Sequence, residues 1–163
     1  MACGHFGADQ VSSIKTMKRW YDQNPMLFWV IVESKRKPAE TRKRLVGYFC
    51  IIPIASETER RLRNGQLVGA NLDASDIVRP RRSAAALYLA AVVAKGRKAR
   101  GAALGHLHHH VTSYWDRKVP VIYSRPVTKD GFRVAERYGF TPVDEEARTL
   151  GDLFERHTNA PNG

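Results

Sequence analysis

The spacing of hydrophobic and polar residues divides the first third of the chain into one helix and two strands. In residues 9–25 the apolar positions recur every three or four residues, which predicts an amphipathic helix. Residues 27–33 and 45–55 are rich in aromatic and β-branched side chains, which is typical of strands. Because the charged residues 34–44 lie between them, we expect an antiparallel hairpin with a long polar connection.

The next segment combines a short helix with irregular structure. Ser56 stands three residues before Glu59, as in a capping box, and Gly65 lies where such a helix would end. Glycine, asparagine, aspartate and proline then interrupt the pattern at short intervals. We therefore interpret residues 56–83 as a helical and irregular insertion.

A strand, a helix and a second strand follow this insertion. Residues 84–94 are apolar on both alternating faces, which favours a strand buried on both sides, although an alanine-rich helix stays open. A basic turn leads into a helix over residues 100–115, and residues 119–127 form another apolar run. This order predicts a right-handed crossover that joins two parallel strands.

The end of the chain predicts a short helix, a final strand and a loose tail. Residues 128–140 have the pattern of a helix that ends at Gly139. Residues 141–146 predict a last strand, and residues 149–163 are expected to fray. Because no internal repeat or linker divides the chain, residues 1–163 are predicted to form a single domain.

The composition is that of a globular protein rather than a disordered, fibrous or membrane-spanning one. Apolar residues make up 43% of the chain and charged residues 26%. No apolar run approaches the roughly 20 residues needed to cross a bilayer. The first ten residues also lack the basic region and apolar core of a secretory signal. We therefore expect a soluble cytoplasmic protein with no membrane partner.

The cysteines and histidines do not predict a metal site or a disulfide framework. Cys3 and Cys50 are too few for a disulfide scaffold and are expected to stay reduced. His106, His109 and His110 would lie about one helical turn apart, but no acidic or cysteine partner accompanies them. We expect a solvated helix surface there.

The net charge of +11 is the feature of the composition that bears most on the class of binding partner. Such an excess favours an anionic partner, such as nucleic acid, an acidic membrane surface or a polyphosphate ligand. Basic side chains are frequent in residues 35–44 and could contact a phosphate backbone, although a solvated hairpin tip is the simpler interpretation. No nucleic-acid recognition motif is present.

The most specific segment is the basic turn before the predicted helix at residue 100. A helix N-terminus presents unpaired backbone N–H groups and the positive end of its dipole, which suits an anion. Small residues at positions 101–103 would let a phosphate approach these amides closely. Fixed positive charge surrounds the same point, from Lys95, Arg97, Lys98 and Arg100. Together these features suit a pyrophosphate.

Two familiar phosphate-binding loops do not fit this turn. The Walker loop needs Gly-Lys-Ser or Gly-Lys-Thr, and neither follows Gly96. The dinucleotide fingerprint needs Gly-x-Gly-x-x-Gly, whereas Gly96, Gly101 and Gly105 are spaced five and four residues apart. Nucleotide hydrolysis and hydride transfer are therefore not supported.

Two motifs in a fixed order carry a family resemblance. The run Lys98-Ala99-Arg100-Gly101-Ala102-Ala103 matches a Gln/Arg-x-x-Gly-x-Gly/Ala loop, with lysine at its first position, after a strand predicted to end near Val93. Residues 128–140 are similar to a short helix that ends in Gly-Phe. On these motifs, over about residues 27–143, the chain resembles the GNAT superfamily of N-acetyltransferases.

The resemblance implies both a fold and a cosubstrate. The fold is α/β (α+β), with a mixed, mostly antiparallel central sheet, a parallel pair of splayed strands and flanking helices. Acetyl-CoA is expected to lay its pantetheine arm in the gap along the central strand and its pyrophosphate on the loop after that strand. The insertion would then shape the acceptor pocket. The implied cofactor-binding residues are Ala91, Val92, Val93, Lys95, Arg97, Lys98, Ala99, Arg100, Gly101, Ala102, Ala103 and Thr128.

The proton-transfer residues depart from the family's pattern. The family often has a tyrosine four residues before the glycine of Gly-Phe, where this chain has Ala135, and Tyr138 is interpreted as a packing residue. Ser124, expected near the thioester, is a candidate proton donor, and Tyr88 is a candidate to orient the acceptor or relay a proton. Both also fit ordinary structural roles. The aspartates of the insertion could deprotonate an amine, but loop capping is the simpler interpretation.

The sequence therefore predicts an N-acetyltransferase that moves an acetyl group from acetyl-CoA to an unidentified amine. The alternative is a noncatalytic basic module on the same scaffold that binds nucleic acid or protein. The missing tyrosine and the large positive charge favour that alternative. Nucleic acid is the less favoured partner, and a homodimer is left open.

Overall fold

The described part of the chain folds as a six-stranded mixed sheet with four α-helices. The computed structural model describes residues 12–37, 40–80, 82–144, 146 and 149–159, without the side chains at 35–37, 40 and 41. In chain order the elements are α1 (Ile14–Gln23), β1 (Phe28–Lys37), β2 (Glu40–Ile54), α2 (Ser56–Arg63), β3 (Ala86–Ala94), α3 (Arg97–His110), β4 (Val121–Ser124), α4 (Lys129–Arg137), β5 (Thr141–Pro142) and β6 (Phe154–His157). The sheet order is β1-β2-β3-β4-β6-β5, mostly antiparallel with β3 and β4 parallel, which confirms the predicted fold class. None of the described helices has the length and apolar character needed to cross a bilayer.

The first hairpin extends further than its sequence pattern predicts. Strands β1 and β2 stay paired as far as Lys37 and Glu40, so the described part of segment 34–44 lies in strands rather than in a loop. The loop prediction was wrong because a strand needs backbone pairing and not apolar side chains on both faces. Arg42 and Arg44 accordingly pair through their backbones while their side chains are exposed.

Strands β3 and β4 form the predicted parallel pair, but the pairing is short. It comprises Leu87 with Ile122, Tyr88 with Tyr123, and Leu89 with Ser124. Beyond these positions β3 continues for several residues after β4 has ended. Among the described strands, residues 91–94 therefore pair with β2 alone, and a gap opens on the other side of residues 90–94.

A β-bulge lies where this gap begins. Cys50 of β2 pairs with Ala91, and Ile51 pairs with Leu89, which leaves Ala90 as an extra residue in β3. A bulge bends its strand and turns backbone groups away from the regular ladder. The bulge therefore helps β3 to diverge from β4.

Each face of the sheet carries its own apolar cluster. One cluster joins the sheet to α1 and α2 and includes Trp20, and the other joins it to α3 and α4 and includes Leu107. Strand β3 supplies Tyr88 to the first cluster, and Leu87 and Leu89 to the second. Residues packed on both faces agree with the prediction of a strand buried on both sides.

Helix α2 begins without the predicted capping box. Its N-cap is Ala55, and no side chain caps the helix. Glu59 instead accepts a 2.9 Å hydrogen bond from the Tyr123 hydroxyl of β4. The prediction was wrong because the largely buried tyrosine needs a partner for its hydroxyl, and Glu59 is within reach.

The tail contributes a strand to the sheet. Strand β6, within the segment 149–163 that was expected to fray, pairs with both β4 and β5. Its Phe154 is 0% exposed and packs in the cluster beneath α3 and α4. The prediction was wrong because a segment of only four residues gives little periodicity, and its order depends on burial in the sheet.

Candidate functional site

A cleft of about 950 Å³ lies where β3 and β4 part. Its walls include Trp20 and Tyr88 from one apolar cluster, and Leu107 and Ala135 from the other. Because the two clusters lie on opposite faces of the sheet, the cleft passes through the gap between the strands.

The two ends of this cleft are lined by different elements. The helical end is lined by residues of α3 and α4 and those just after them: Arg100, Leu104, Leu107, His108, Val111, Lys129, Asp130, Gly131, Arg133, Val134, Ala135 and Tyr138. The insertion end is lined by residues in or near α1, by the first three strands, by the insertion and by the residue after β4. They are Ser12, Met17, Trp20, Phe28, Tyr48, Cys50, Val68, Gly69, Ala70, Tyr88 and Arg125. The diverging part of β3 connects the two ends.

Beside the helical end, α3 begins three residues earlier than the predicted Arg100. Its N-cap is Gly96, whose φ of 86° lies in the left-handed region that favours glycine. The N–H of Arg100 already donates to the Gly96 carbonyl oxygen at 3.0 Å. The amides that a helix leaves unpaired are those of its first turn, here Arg97, Lys98 and Ala99. The amide site predicted to follow Lys98 therefore lies about one turn earlier.

The predicted site residues divide into two equal groups. Those that line the cleft are Tyr88, Ala91, Val92, Val93, Arg100, Ser124 and Thr128. Those outside its described lining are Lys95, Arg97, Lys98, Ala99, Gly101, Ala102 and Ala103. Most of the second group lie on the exposed start of α3. Ala103 is 0% exposed and packs in the core, which corrects its assignment as a ligand contact.

Positive charge dominates the helical end. Arg100, Lys129 and Arg133 line it, and Asp130 is the acidic residue among the described lining. Asp130 lies 3.3 Å from the Arg100 guanidinium, so this pair bridges the starts of α3 and α4. Thr128 caps α4, because its hydroxyl accepts a 3.0 Å hydrogen bond from the N–H of Gly131. This end of the cleft is suited to an anion.

Tyr88 lies at the insertion end, close to the gap. Its side chain is only 5% exposed, yet it lines the cleft. Burial raises the pKa of its hydroxyl to about 12, so at neutral pH the group is protonated and can donate a hydrogen bond or a proton. The backbone of Gly69 packs directly against this ring, since a Cβ at Gly69 would come within 2.0 Å of the Tyr88 hydroxyl oxygen. Gly69 therefore permits the observed position of Tyr88.

Ser124 and Cys50 also line the cleft but are less suited to proton transfer. The Ser124 hydroxyl donates a long 3.4 Å hydrogen bond to the Leu89 carbonyl oxygen, where the parallel pairing ends. Burial raises the pKa of the Cys50 thiol to about 12, so that the thiol stays protonated and is a poor nucleophile at neutral pH.

The aspartates of the insertion cap its turns and do not line the cleft. Asp76 accepts hydrogen bonds from the Thr58 hydroxyl at 3.1 Å and from Arg61 at 3.0 Å. Its other carboxylate oxygen accepts from the N–H of Asp73 at 2.9 Å, and the Asp73 carboxylate caps Ala74. These contacts support the capping interpretation.

Sequence reasoning missed several residues of the cleft. Tyr138 packs against the cluster beneath α3 and α4, which confirms its predicted packing role, but it also lines the helical end, where its ring centroid lies 5.8 Å from that of His108. Arg125 and Gly69 were not singled out at all. An arginine directly after a buried strand was a weak available signal for Arg125, whereas the closeness of Gly69 and Tyr88 is a tertiary contact without a local signal.

Within the described residues, no three histidine, cysteine or acidic side chains are grouped so that they could hold a metal ion. No protein-family model matches the chain, and no curated protein matches it either. The functional interpretation therefore depends on the geometry and chemistry of the cleft.

Proposed function

We propose that this protein is an acetyl-CoA-dependent N-acetyltransferase of the GNAT type, acting on an amine. The observation that carries the proposal is the gap along residues 90–94 of β3, adjacent to the N-terminus of α3. An extended amide-containing chain can pair with the free backbone edge of a strand, and a diphosphate can bind at a helix N-terminus. Acetyl-CoA carries both groups in one molecule.

The charges at the helical end support this orientation of acetyl-CoA. The unpaired amides of Arg97, Lys98 and Ala99 would bind the diphosphate, and Arg100 would add positive charge beside it. The pantetheine arm would then follow β3 through the gap towards the insertion end. In this orientation the thioester lies near Tyr88.

The residues near the gap support direct transfer to the amine. Acetyl-CoA enters as a substrate and supplies the acetyl group as a thioester. The amine nitrogen would bond to the thioester carbonyl carbon as the carbon–sulfur bond breaks. Tyr88, protonated at neutral pH, would donate a proton to the departing thiolate and regain one from the nitrogen, which loses it as the amide forms. Cys50 stays protonated, so a covalent acetyl-cysteine is not part of the proposal. Since Asp130 is the acidic residue of the described lining and lies at the helical end, the amine would react in its neutral form after losing its proton to water.

Most of the acceleration in this scheme comes from positioning. Holding two reactants in a reactive geometry can lower the barrier by roughly 7–11 kcal/mol relative to free encounter. The cleft reaches both faces of the sheet, so the amine can approach from the face opposite to the diphosphate. A cytoplasmic location is part of the proposal, because Cys50 is a free buried thiol.

A glutamate placed beside the α3 N-terminus tests the proposal. A Cβ at Gly101 or at Gly105 would meet open space, and both residues are exposed, so both sites tolerate a side chain. We expect Gly101→Glu to weaken acetyl-CoA binding about 100-fold or more, because the new carboxylate lies close to the diphosphate. Gly105→Glu, one turn further from the N-terminus, is the matched control and should bind nearly as the wild type does. Calorimetry gives both affinities.

Two results would contradict the proposal. One is tight acetyl-CoA binding by the Gly101→Glu variant, which would place the diphosphate elsewhere. The other is no acetyl-CoA binding by the wild type, combined with salt-sensitive binding of tRNA or duplex DNA. That second result would favour the noncatalytic nucleic-acid-binding alternative.

A further inference from the structure

The described lining of the insertion end is largely apolar and carries one charged side chain. Its described side chains include Met17, Trp20, Phe28 and Val68, and Arg125 is the charged residue among them. A cleft that binds polycationic amines needs carboxylates, and the described lining of this end contains none. The surface is therefore suited to an apolar molecule that carries a negative charge.

Arg125 follows β4 and is held in place by the backbone of the tail. Its Nη1 donates a 2.9 Å hydrogen bond to the Gly151 carbonyl oxygen. Its Nε is buried and has no hydrogen-bond partner. No carboxylate of the described residues lies within 4.0 Å of its guanidinium. The positive charge of Arg125 helps to lower the pKa of the Asp152 carboxyl, but no carboxylate forms an ion pair with it at that distance. A partly buried guanidinium with an unpartnered Nε and no direct ion pair can bind an anionic group.

The guanidinium also lies close enough to Tyr88 to act on it electrostatically. The positive charge of Arg125 opposes the effect of burial on the pKa of the Tyr88 hydroxyl. Both side chains line the same cleft near the point where β3 and β4 part. A small molecule held by Arg125 through one group could therefore place another group beside Tyr88.

We propose that the acceptor is a small apolar amine that carries a carboxylate, as apolar α-amino acids do, and that Arg125 binds this carboxylate. The inference rests on the proposed acetyltransferase function and names its acceptor class. A planar guanidinium suits a carboxylate because it can donate two parallel hydrogen bonds. With the carboxylate on Arg125 and the apolar body against Trp20 and Met17, the amine faces the gap.

Three matched acceptors test the carboxylate, with phenylalanine, phenylalaninamide and phenethylamine as the probes. All three have the same ring and a primary amine, and phenylalanine alone carries a carboxylate. With wild-type protein and saturating acetyl-CoA, we expect kcat/KM for phenylalanine to exceed that for the other two about tenfold or more. Release of free CoA measures the rate.

Substitutions at Arg125 distinguish binding of the acceptor carboxylate from a general loss of structure or activity. We expect Arg125→Gln to raise the KM for phenylalanine about 10- to 100-fold while leaving the KM for phenethylamine and the acetyl-CoA affinity near their wild-type values. Any change in kcat that arises through Tyr88 should be the same for every acceptor, so the comparison uses KM. Arg125→Lys, which keeps the charge, should recover part of the loss. Arg117→Gln removes an exposed arginine outside the described lining and should change none of these values.

The outcomes distinguish the two proposals. Absence of acetyl-CoA binding to the wild type overturns the proposed function, and the acceptor inference with it. Acetyl-CoA binding and amine acetylation with no preference for phenylalanine, or an equal rise in KM for all three acceptors in Arg125→Gln, overturns the acceptor inference alone. Acetyl-CoA binding without turnover of any of the three acceptors also overturns it.

Discussion

The helical end and the insertion end of the cleft differ in how the chain builds them. The helical end comes from two continuous segments, one from Arg100 to Val111 along α3 and the other from Lys129 to Tyr138 along α4. The insertion end brings together α1, β2, residues 68–70 and Arg125, which are far apart in sequence. One end therefore depends on local helix geometry, and the other depends on tertiary packing.

This difference has a chemical consequence. A helix N-terminus with surrounding basic residues can attract a diphosphate through local geometry and charge. Selection of an acceptor requires complementary shape and charge from several elements at once. We therefore expect substitutions at the helical end to change acetyl-CoA affinity, and substitutions at the insertion end to change turnover or acceptor choice.

Among substitutions that should change turnover without changing acetyl-CoA affinity, Tyr88→Phe is expected to have the largest effect. Removing the hydroxyl removes the proposed proton donor, so kcat should fall about 10²- to 10⁴-fold while acetyl-CoA affinity stays unchanged. Because the pKa of Tyr88 is raised to about 12, it remains protonated up to about that pH. The wild-type rate should therefore rise as the amine loses its proton and then stay level, without a falling limb below pH 10.

Ser124→Ala is the matched comparison for Tyr88→Phe. It removes the other candidate donor and the 3.4 Å hydrogen bond to Leu89, and we expect less than a tenfold fall in kcat. Stopped-time assays of CoA release measure both variants. A larger loss in Ser124→Ala than in Tyr88→Phe would reverse their proposed roles.

Gly69→Ala acts on Tyr88 indirectly, so its expected loss of rate is smaller than that of Tyr88→Phe. The new methyl group would come within 2.0 Å of the Tyr88 hydroxyl oxygen, so the ring must move. A displacement of about 1 Å at a reacting group can cost about 100-fold in rate, and overpacking costs about 1–3 kcal/mol of unfolding free energy. Measurement of kcat tests the expected loss of rate, and thermal unfolding tests the expected loss of stability. Acetyl-CoA affinity is measured alongside them.

Gly105→Ala is the control for the Gly69→Ala variant. A Cβ at Gly105 meets no atom within 4 Å, and alanine is the better helix former there. It should therefore keep wild-type kcat and be slightly more stable. If Gly69→Ala also keeps wild-type kcat, the position of the Tyr88 hydroxyl is not important for turnover.

The same contrast explains what the sequence could predict. The existence of α3, of the central strand and of the parallel pair follows from periodicity and from glycine, which act within a few residues, although α3 was predicted to begin at Arg100. The position of Tyr88 against Gly69 depends on a contact between a strand and an insertion, which periodicity cannot encode. Strand β6 was missed for a related reason, since Phe154 orders its short segment by burial rather than by pattern.

The errors in the predicted residues at the helical end come from the position at which α3 begins. The motif that begins at Lys98 predicted an anion site after Lys98, whereas the helix starts at Arg97, so the unpaired amides of its first turn lie about one turn earlier than expected. Helix boundaries are the least certain part of a pattern-based prediction, because several residues can serve as the first turn. Ala103 was misassigned in the same way, since its helical position turns it towards the core.

The smallest expected effect concerns Asp130, the acidic residue of the described cleft lining. Its ion pair with Arg100 is exposed on both sides, and such pairs contribute only about 0–1 kcal/mol. Asp130→Asn would free Arg100 for the diphosphate and remove a like charge, so acetyl-CoA should bind up to about fivefold more tightly at low salt. Calorimetry at low and at high salt should show this gain shrink as ions screen the charges.

The matched control is Asp22→Asn, which breaks another exposed pair, with Lys18 at 3.1 Å, outside the described lining of the cleft. This variant should leave acetyl-CoA affinity unchanged at both salt concentrations. If acetyl-CoA binds more tightly to Asp130→Asn alone, the diphosphate is close to Arg100. The reason is that removing a carboxylate changes the binding of a negative group only over a short distance. Equal acetyl-CoA affinities for both variants, or weaker binding in Asp130→Asn, would mean that the charge at the helical end does not contribute to acetyl-CoA binding. The two ends of the cleft would then not differ in their electrostatic role.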